Sequence, residues 1–340
     1  MKIVFFETTP EDQLILTKLV SQKSEIADTK LLFITEKLSN QNIAEAHDAE
    51  VIGVFINSMV KQEQIDQLPN LKMIVTMSTG FDHIDTTYTQ SKNIIVANVP
   101  AYGSRTVAEF TFALLLGLSR KVFAAYRQIK DRQDFSISNF EGFNLQGKTI
   151  GIVGTGRIGQ NVAEIAKGFG MQLLAYDAFP NVEASQRFGF VYTSLEELLN
   201  QSDIVTLHVP YNHSTHHLIN LNNINQFKKG ALLINTSRGE IAETQAIINA
   251  LDQEILEGVG IDVVEGERQL IDEWHLVAAG NETDAQIKTL VLDHALINHP
   301  KVVYTPHIAF FTREAKYEIL STTVATIASF VAGSPKNIVA

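Results

Sequence analysis

Short apolar runs rich in Val and Ile recur along the chain between amphipathic segments, and this alternation limits the fold more than any other feature. "IVFF" at 3, "LLFIT" at 31, "VIGVFI" at 51, "MIVTMS" at 73 and "IIVANV" at 94 form one series. "TIGIVG" at 149, "LLAYD" at 173, "IVTLHV" at 204, "ALLINTS" at 231, "GVGIDV" at 258 and "VVYTPH" at 302 form a second. Strands of near-continuous apolar character separated by helical patterns predict parallel sheets with crossover helices on both faces. At 340 residues, 45% of them hydrophobic, the chain can bury two cores of ordinary size, so two α/β units are expected.

Between the two series lies "SRTVAEFTFALLLGLSRKVFAAYRQIK", read as one long helix opened by a capping box of Thr106 and Glu109. The stretch from 267 to 300 interrupts the second series and is too apolar for a linker; it is expected to be a helical cover over a cleft. A last helix is expected from about Arg313 to Val331.

Composition narrows the function. Lys and Arg total 27 against 38 Asp and Glu, a formal charge of −11 that disfavours nucleic acid and anionic membranes as partners. The absence of cysteine excludes thiolate chemistry and cysteine metal sites. The apolar start, Lys2 to Phe6, is too short for a signal peptide, and "FTFALLLGL" is too short to cross a bilayer. These features predict a cytoplasmic protein with a small-molecule ligand.

"GIVGTGRIGQ" carries Gly154, Gly156 and Gly159 in G-x-G-x-x-G spacing. The motif follows a strand pattern, opens a helix pattern, and is followed by a second strand ending in Asp177, 18 positions after Gly159. In a βαβ unit such glycines let backbone amides and a helix N-terminus approach a pyrophosphate, while the carboxylate accepts hydrogen bonds from ribose hydroxyls. Asp177 would repel a 2′-phosphate, and Ala178, Phe179 and Pro180 offer no arginine to bind one, so NAD is expected rather than NADP. Arg238 in "NTSRGE", Glu267 in "DVVEGE" and His307 in "TPHIAFF" each sit just past a strand pattern. Ligands of doubly wound sheets bind beyond the carboxyl ends of the strands, so all three are candidates for one crevice.

Together these segments resemble the D-isomer-specific 2-hydroxyacid dehydrogenases, and within them the D-lactate dehydrogenase branch. The matching stretches are "STGFDHID" at 78, "NVPAYGSRTVAEFTFALLLGLSRK" at 98, "GKTIGIVGTGRIGQ" at 147, "DIVTLHVP" at 203, "LLINTSRGE" at 232, "GVGIDVVEGE" at 258 and "VVYTPHIAFFT" at 302. The resemblance implies two doubly wound parallel-sheet domains, a flavodoxin-like substrate domain and a Rossmann NAD domain, with a cleft between. The substrate domain would be discontinuous, residues 1–102 and 301–340, with the NAD domain inserted at 103–300.

The same resemblance assigns roles. Arg238, Glu267 and His307 fall on the family's catalytic triad. Thr79, Gly80 and Tyr102 fall where the substrate carboxylate is held. Thr106, Gly154, Gly156, Arg157, Ile158, Gly159, Asp177, Val209, Pro210, Thr215, Thr236, Ser237 and Asp262 fall on cofactor-contacting positions. Reduction of a 2-oxo acid needs a cation for the carboxylate and a proton for the carbonyl oxygen, which suits the planar fork of Arg238 and the imidazole of His307; Glu267 would orient the ring and favour its protonated form.

Phe110 stands where some members carry histidine, which touches no catalytic inference. Glu267, where formate dehydrogenases carry glutamine, argues against that branch. Phe310 and Phe311 match the lactate-like branch and, with "GVFINS" at 53, could wall a substrate side-chain pocket; core packing is the equal alternative for each aromatic. A roomier pocket would make the protein a D-2-hydroxyisocaproate type dehydrogenase. A NAD(H)-sensing binding protein of the same fold is a further alternative. "HSTHH", with His213, His216 and His217, has spacing a metal could use, yet no metal is expected, since carboxylate partners are absent nearby in sequence. A homodimer through the long helix near Thr106 is expected from the family's habit.

Overall fold

The computed structural model describes residues 1–271, 273 and 283–340. The chain divides into two compact units, one of Met1–Tyr102 with Phe311–Ala340 and one of Gly103–Phe310.

The first unit is built on β1 (Lys2–Phe5), β2 (Lys30–Phe33), β3 (Val51–Val54), β4 (Met73–Thr76) and β5 (Ile95–Ala97), with α1 (Pro10–Ser21), α2 (Gln62–Ile65) and α3 (Thr86–Ser91) between them. Its five-stranded sheet has the order β2-β1-β3-β4-β5, all parallel. The order reverses between β1 and β3, which makes their carboxyl ends the switch point of a flavodoxin-like sheet. Val4, Ile52, Val54, Ile74 and Val96 are fully buried in its core. Thr9 caps α1 in a reciprocal capping box with Asp12, and Asp12 also pairs with Lys316 at 3.0 Å. Lys316 lies on the final helix, so this pair joins the returning chain to the start of the unit.

The second unit opens with α4 (Ser104–Ser119) and α5 (Val122–Arg132). The helical pattern predicts one helix here. Lys121 adopts a left-handed conformation at φ 52°, which breaks the run without any glycine or proline to announce it. The expected capping box is also absent: Gly103 is the N-cap residue, Thr106 lies inside the first turn, and Glu109 pairs with Arg105 instead.

The sheet that follows uses β6 (Thr149–Val153), β7 (Gln172–Tyr176), β8 (Val191–Tyr192), β9 (Ile204–Leu207), β10 (Ala231–Asn235), β11 (Leu256–Ile261) and β12 (Val302–Tyr304). Its seven parallel strands run β12-β11-β10-β9-β6-β7-β8, with the reversal between β9 and β6. The crossover helices are α6 (Arg157–Gly168), α7 (Val182–Phe188), α8 (Leu195–Gln201), α9 (Thr244–Asp252), α10 (Glu267–Ile271) and α11 (Asp284–Ile297). Along β10, Leu232 and Ile234 enter one core with α4 and α6, while Ala231 and Leu233 enter the other with α8 and α9. Burial on both faces is why these strands read as unbroken apolar runs.

Because β12 hydrogen-bonds to β11, residues 301–310, read above with the first unit, go with the second. The chain then re-enters the first unit and forms α12 (Arg313–Val331). Of the stretch expected to cover a cleft, α10 and α11 are helical, and residues 272 and 274–282 lie outside the described residues. Among the described residues no helix is long and apolar enough to cross a membrane.

Candidate active site

The dinucleotide turn occupies the switch point of the second sheet. Gly154 follows β6 with φ +96°, and a Cβ there would lie 2.7 Å from the backbone carbon and oxygen of His208, just past β9. Only glycine allows both the left-handed geometry and that approach. A Cβ on Gly159 would stand 2.0 Å from the carbonyl oxygen of Gly154, so the first turn of α6 rests directly on the loop. Gly156 differs: among the described residues a Cβ there would meet nothing within 4 Å. The open space lies at the N-terminus of α6, where the N-cap residue, Gly156, makes no side-chain cap to the first turn. A helix N-terminus behind a glycine turn suits a pyrophosphate in charge and hydrogen bonding.

Asp177 follows β7, and its Oδ2 accepts from the amide and hydroxyl of Thr155 at 2.7 and 3.0 Å while Oδ1 accepts from the Phe179 amide at 2.9 Å. Oδ1, with a single donor, keeps acceptor capacity for a ribose hydroxyl. His208 is buried and burial pushes its imidazole down to about 3, so it stays neutral. Its Nε2 meets the Thr206 hydroxyl at 2.8 Å, and its Nδ1 has no partner among the described residues. A buried, unsatisfied ring nitrogen beside the dinucleotide turn is consistent with a bound polar molecule. Arg157 and Pro210 are exposed, Ile158 and Val209 are half-buried, and the Thr215 hydroxyl ties its own loop by donating to the Pro210 carbonyl at 2.6 Å. Thr236 is buried against α4, its hydroxyl 3.2 Å from that of Thr111, and Thr106 precedes Thr111 on the same helix.

Arg238, Glu267 and His307 follow β10, β11 and β12, which are neighbours in the sheet, so all three emerge at one edge. Asn235 at the end of β10 is buried and shapes the arginine loop: its Oδ1 accepts from the amide and hydroxyl of Ser237, and its Nδ2 donates to the Arg238 carbonyl at 2.8 Å. Gly239 then packs so closely on the next loop that a Cβ would lie 2.0 Å from the Val264 carbonyl carbon. This contact locks the arginine loop to the segment carrying Glu267. Glu267 opens α10, and the amide of the preceding Gly266 donates to buried Asp293 of α11 at 2.7 Å.

His307 has φ 54°, an uncommon conformation for a residue with a side chain, and Asp262 holds it there. The buried Asp262 carboxylate accepts from the Thr305 hydroxyl and from the amides of Ile308 at 3.0 Å and Ala309 at 2.7 Å, while its carbonyl accepts from the His307 amide at 2.9 Å. Burial raises the Asp262 carboxyl, and the hydrogen bonds it accepts oppose that rise. The outcome for the ring is a 2.7 Å contact between His307 Nδ1 and Glu267 Oε1, with both side chains one-fifth exposed. Tyr304, whose hydroxyl burial and the nearby Glu267 charge push up to about 12, stays a neutral phenol beside this pair.

The residues given to the substrate carboxylate belong to the first unit. Thr79 is exposed just past β4, with its hydroxyl on the Val99 carbonyl at 2.9 Å and its own carbonyl accepting from Asn98. Ser78 donates to the Gly80 carbonyl at 2.7 Å, and Tyr102 is half-buried at the unit's edge. In the loop after β9, His217 Nε2 meets Glu265 Oε1 at 2.6 Å, a carboxylate far away in sequence.

The model of the D-isomer-specific 2-hydroxyacid dehydrogenase NAD-binding domain matches residues 112–309. The chain belongs to this family. It is 36% identical to D-lactate dehydrogenase kk1H of Curvularia clavata over 98% of this chain and 94% of that protein. Among solved structures, the Aquifex aeolicus D-lactate dehydrogenase complexed with NAD and lactic acid superposes with a TM-score of 0.84 at 36% identity, covering 99% and 98% of the two chains. The pyruvate reductase of Chlamydomonas reinhardtii gives 0.86 at 33% identity, covering 98% and 97%. This 2-hydroxyacid dehydrogenase is thus an oxidoreductase acting on the CH–OH group of hydroxy acids, with NAD as its cofactor and the turn at Gly154–Gly159 in the matched domain.

Two features of this site were not read from the sequence. The support of His307 by Asp262 and of the Glu267 loop by Asp293 joins residues tens of positions apart, and neither carboxylate sits in a pattern that signals its partner.

Proposed function

We propose that the protein is a D-lactate dehydrogenase, reducing pyruvate or a slightly larger 2-oxo acid to the D-2-hydroxy acid. The observation that carries this reading is the His307–Glu267 pair at 2.7 Å, on a loop whose left-handed turn is fixed by Asp262, at the sheet edge that also presents Arg238. When bound, NADH supplies the hydride to the carbonyl carbon. Arg238 orients the substrate by its carboxylate and stabilises negative charge as it grows on the carbonyl oxygen. His307, with Nδ1 turned to Glu267, presents Nε2 as the proton donor to that oxygen; in oxidation the neutral ring takes the proton back. Glu267 holds the ring in one orientation and balances the charge of the imidazolium. Thr106, Val209, Thr215, Thr236 and Ser237 are assigned to the cofactor, and Thr79, Gly80 and Tyr102 to the substrate carboxylate, on family resemblance.

We read the protein as a cytoplasmic homodimer. Support for self-association comes from α5, which buries none of its residues, and from the segment after it, where Phe135 is 80% and Ile137 83% exposed. Light scattering after size exclusion tests the dimer, and a monomeric mass at micromolar concentration would contradict it.

The functional test is NADH oxidation with a size series: glyoxylate, pyruvate, 2-oxobutyrate, 2-oxoisocaproate and phenylpyruvate. A maximum of kcat/KM at pyruvate is expected. A maximum at the branched or aromatic acids would move the protein to the larger-pocket type, and NADH binding without turnover on any acid would point to a sensor.

A further inference from the structure

Glu7 is a conspicuous strained residue of the first unit. It follows β1 with φ 57°, a left-handed conformation that is uncommon and strained for a residue with a side chain. Its surroundings account for the conformation. The Glu7 amide donates to the Glu36 carbonyl at 3.2 Å, just past β2. Its half-buried carboxylate crosses to the chain after β3, where Oε1 accepts from the Phe55 amide at 3.1 Å and from the Ser58 hydroxyl, and Oε2 accepts from the Asn57 amide at 3.3 Å. Ser58 is fully buried and in turn accepts from the Leu38 amide at 2.9 Å. One side chain thus gathers the ends of β1, β2 and β3.

These strand ends flank the switch point of the five-stranded sheet, the place where doubly wound sheets receive ligands. Thr79 and Gly80, given above to the substrate carboxylate, follow β4, the neighbour of β3. The turn from Phe55 to Ser58 therefore stands beside the position of the acid's carboxylate, where its side chain would extend.

We propose that Glu7 is a positioning residue that fixes the 55–58 turn as a wall for the substrate side chain and so sets the size of 2-oxo acid accepted. This inference rests on the reading of the first unit as the one that receives the 2-oxo acid. Charge-assisted hydrogen bonds to backbone amides hold a loop more firmly than neutral ones, and a rigid wall is what size discrimination needs. The strained backbone is retained because it directs the carboxylate across the sheet.

The test compares the full-length enzyme with Glu7→Gln and Glu7→Ala, measuring kcat/KM for pyruvate and for 2-oxoisocaproate, with NADH affinity and thermal stability alongside. The ratio of kcat/KM for pyruvate to that for 2-oxoisocaproate should move about tenfold toward the larger acid in Glu7→Ala, a discrimination on the scale of one or two methylenes. Glu7→Gln, which keeps the shape but turns a donor toward the Asn57 amide, should fall between. NADH affinity should stay within about twofold of the unmodified enzyme, since its site lies in the other unit. A purely structural role would lower the melting temperature and leave the ratio alone. If Glu7→Ala does not fold, Glu7→Gln decides by the same ratio. Turnover in the unmodified protein with an unchanged ratio in the folded variants would overturn this inference alone. Absence of turnover in the unmodified protein would overturn the functional reading and this inference with it.

Discussion

Gly156→Ala separates the cofactor cradle from the scaffold that holds it. At φ −65° and ψ −165° the position accepts an alanine, and among the described residues beyond its chain neighbours the new Cβ would meet nothing within 4 Å. Two small effects then oppose each other. Alanine restricts the unfolded chain, which stabilises by about 0.4 to 1 kcal/mol, and it is a poorer N-cap than glycine by a similar amount. The cofactor-free protein should therefore unfold within about 1 kcal/mol of the parent. Binding should suffer much more, because the methyl group projects into the space at the α6 N-terminus. Losing one or two charge-assisted contacts of about 1.5 kcal/mol each corresponds to a rise in the NADH dissociation constant of about 10- to 100-fold. Gly159→Ala is the control: its Cβ would lie 2.0 Å from the Gly154 carbonyl oxygen, so stability and binding should fall together. Denaturant unfolding without cofactor and titration of NADH fluorescence measure both quantities. A Gly156→Ala protein that binds NADH like the parent, or that is as unstable as Gly159→Ala, would refute the reasoning.

Other outcomes follow from the same geometry. His307→Ala should lower kcat for pyruvate by about 10²- to 10⁴-fold with NADH affinity unchanged, and Glu267→Gln should cost less, about 10-fold or more; stopped-flow reduction with saturating NADH reads both, and retained rates would remove these residues from the chemistry. Asp177→Ala should narrow the preference for NADH over NADPH by lifting repulsion of a 2′-phosphate, whereas equal use of both cofactors by the unmodified enzyme would contradict the role of Asp177. Asp293 predicts a pH dependence of stability, because burial pushes its carboxyl up to about 6. The native chain keeps this proton at pH values where the unfolded chain has released it, so the contribution is complete below the unfolded value and lost as pH rises through about 6. That displacement amounts to about 3 kcal/mol. Asp293→Asn, whose amide can still face the Gly266 amide and the Thr244 hydroxyl, should gain by that order on Asp293 between about pH 4 and pH 8 in urea unfolding; parallel curves for the two proteins would contradict it.

The sequence made much of this molecule legible, for identifiable physical reasons. Sheets buried on both faces leave unbroken apolar runs, so all strands of the two sheets but β8 could be read directly; β8 is the two-residue edge pair Val191–Tyr192, too short to carry a pattern. The dinucleotide turn was legible because its three glycines fall at fixed spacing within six residues, between a strand pattern and a helix pattern. The break between α4 and α5 was not, since Lys121 adopts a left-handed conformation without glycine, and the true N-cap of α4, Gly103, offers no side chain to signal it. Arg238, Glu267 and His307 could be placed at one end of a sheet because each follows a strand pattern. What orders them could not: Asp262 stands 47 positions from Ala309 and Asp293 stands 27 from Gly266, and such partnerships exist only once the strands are side by side. The family resemblance gives Asp262 to the cofactor; its carboxylate is engaged by the His307 loop, which adds a structural task.

The most direct test of the account is the handedness of the product formed from pyruvate and NADH by the unmodified protein. Chiral chromatography should find D-lactate in amounts equal to the NADH consumed. L-lactate, or pyruvate left unchanged while NADH binds, would contradict the proposed reaction.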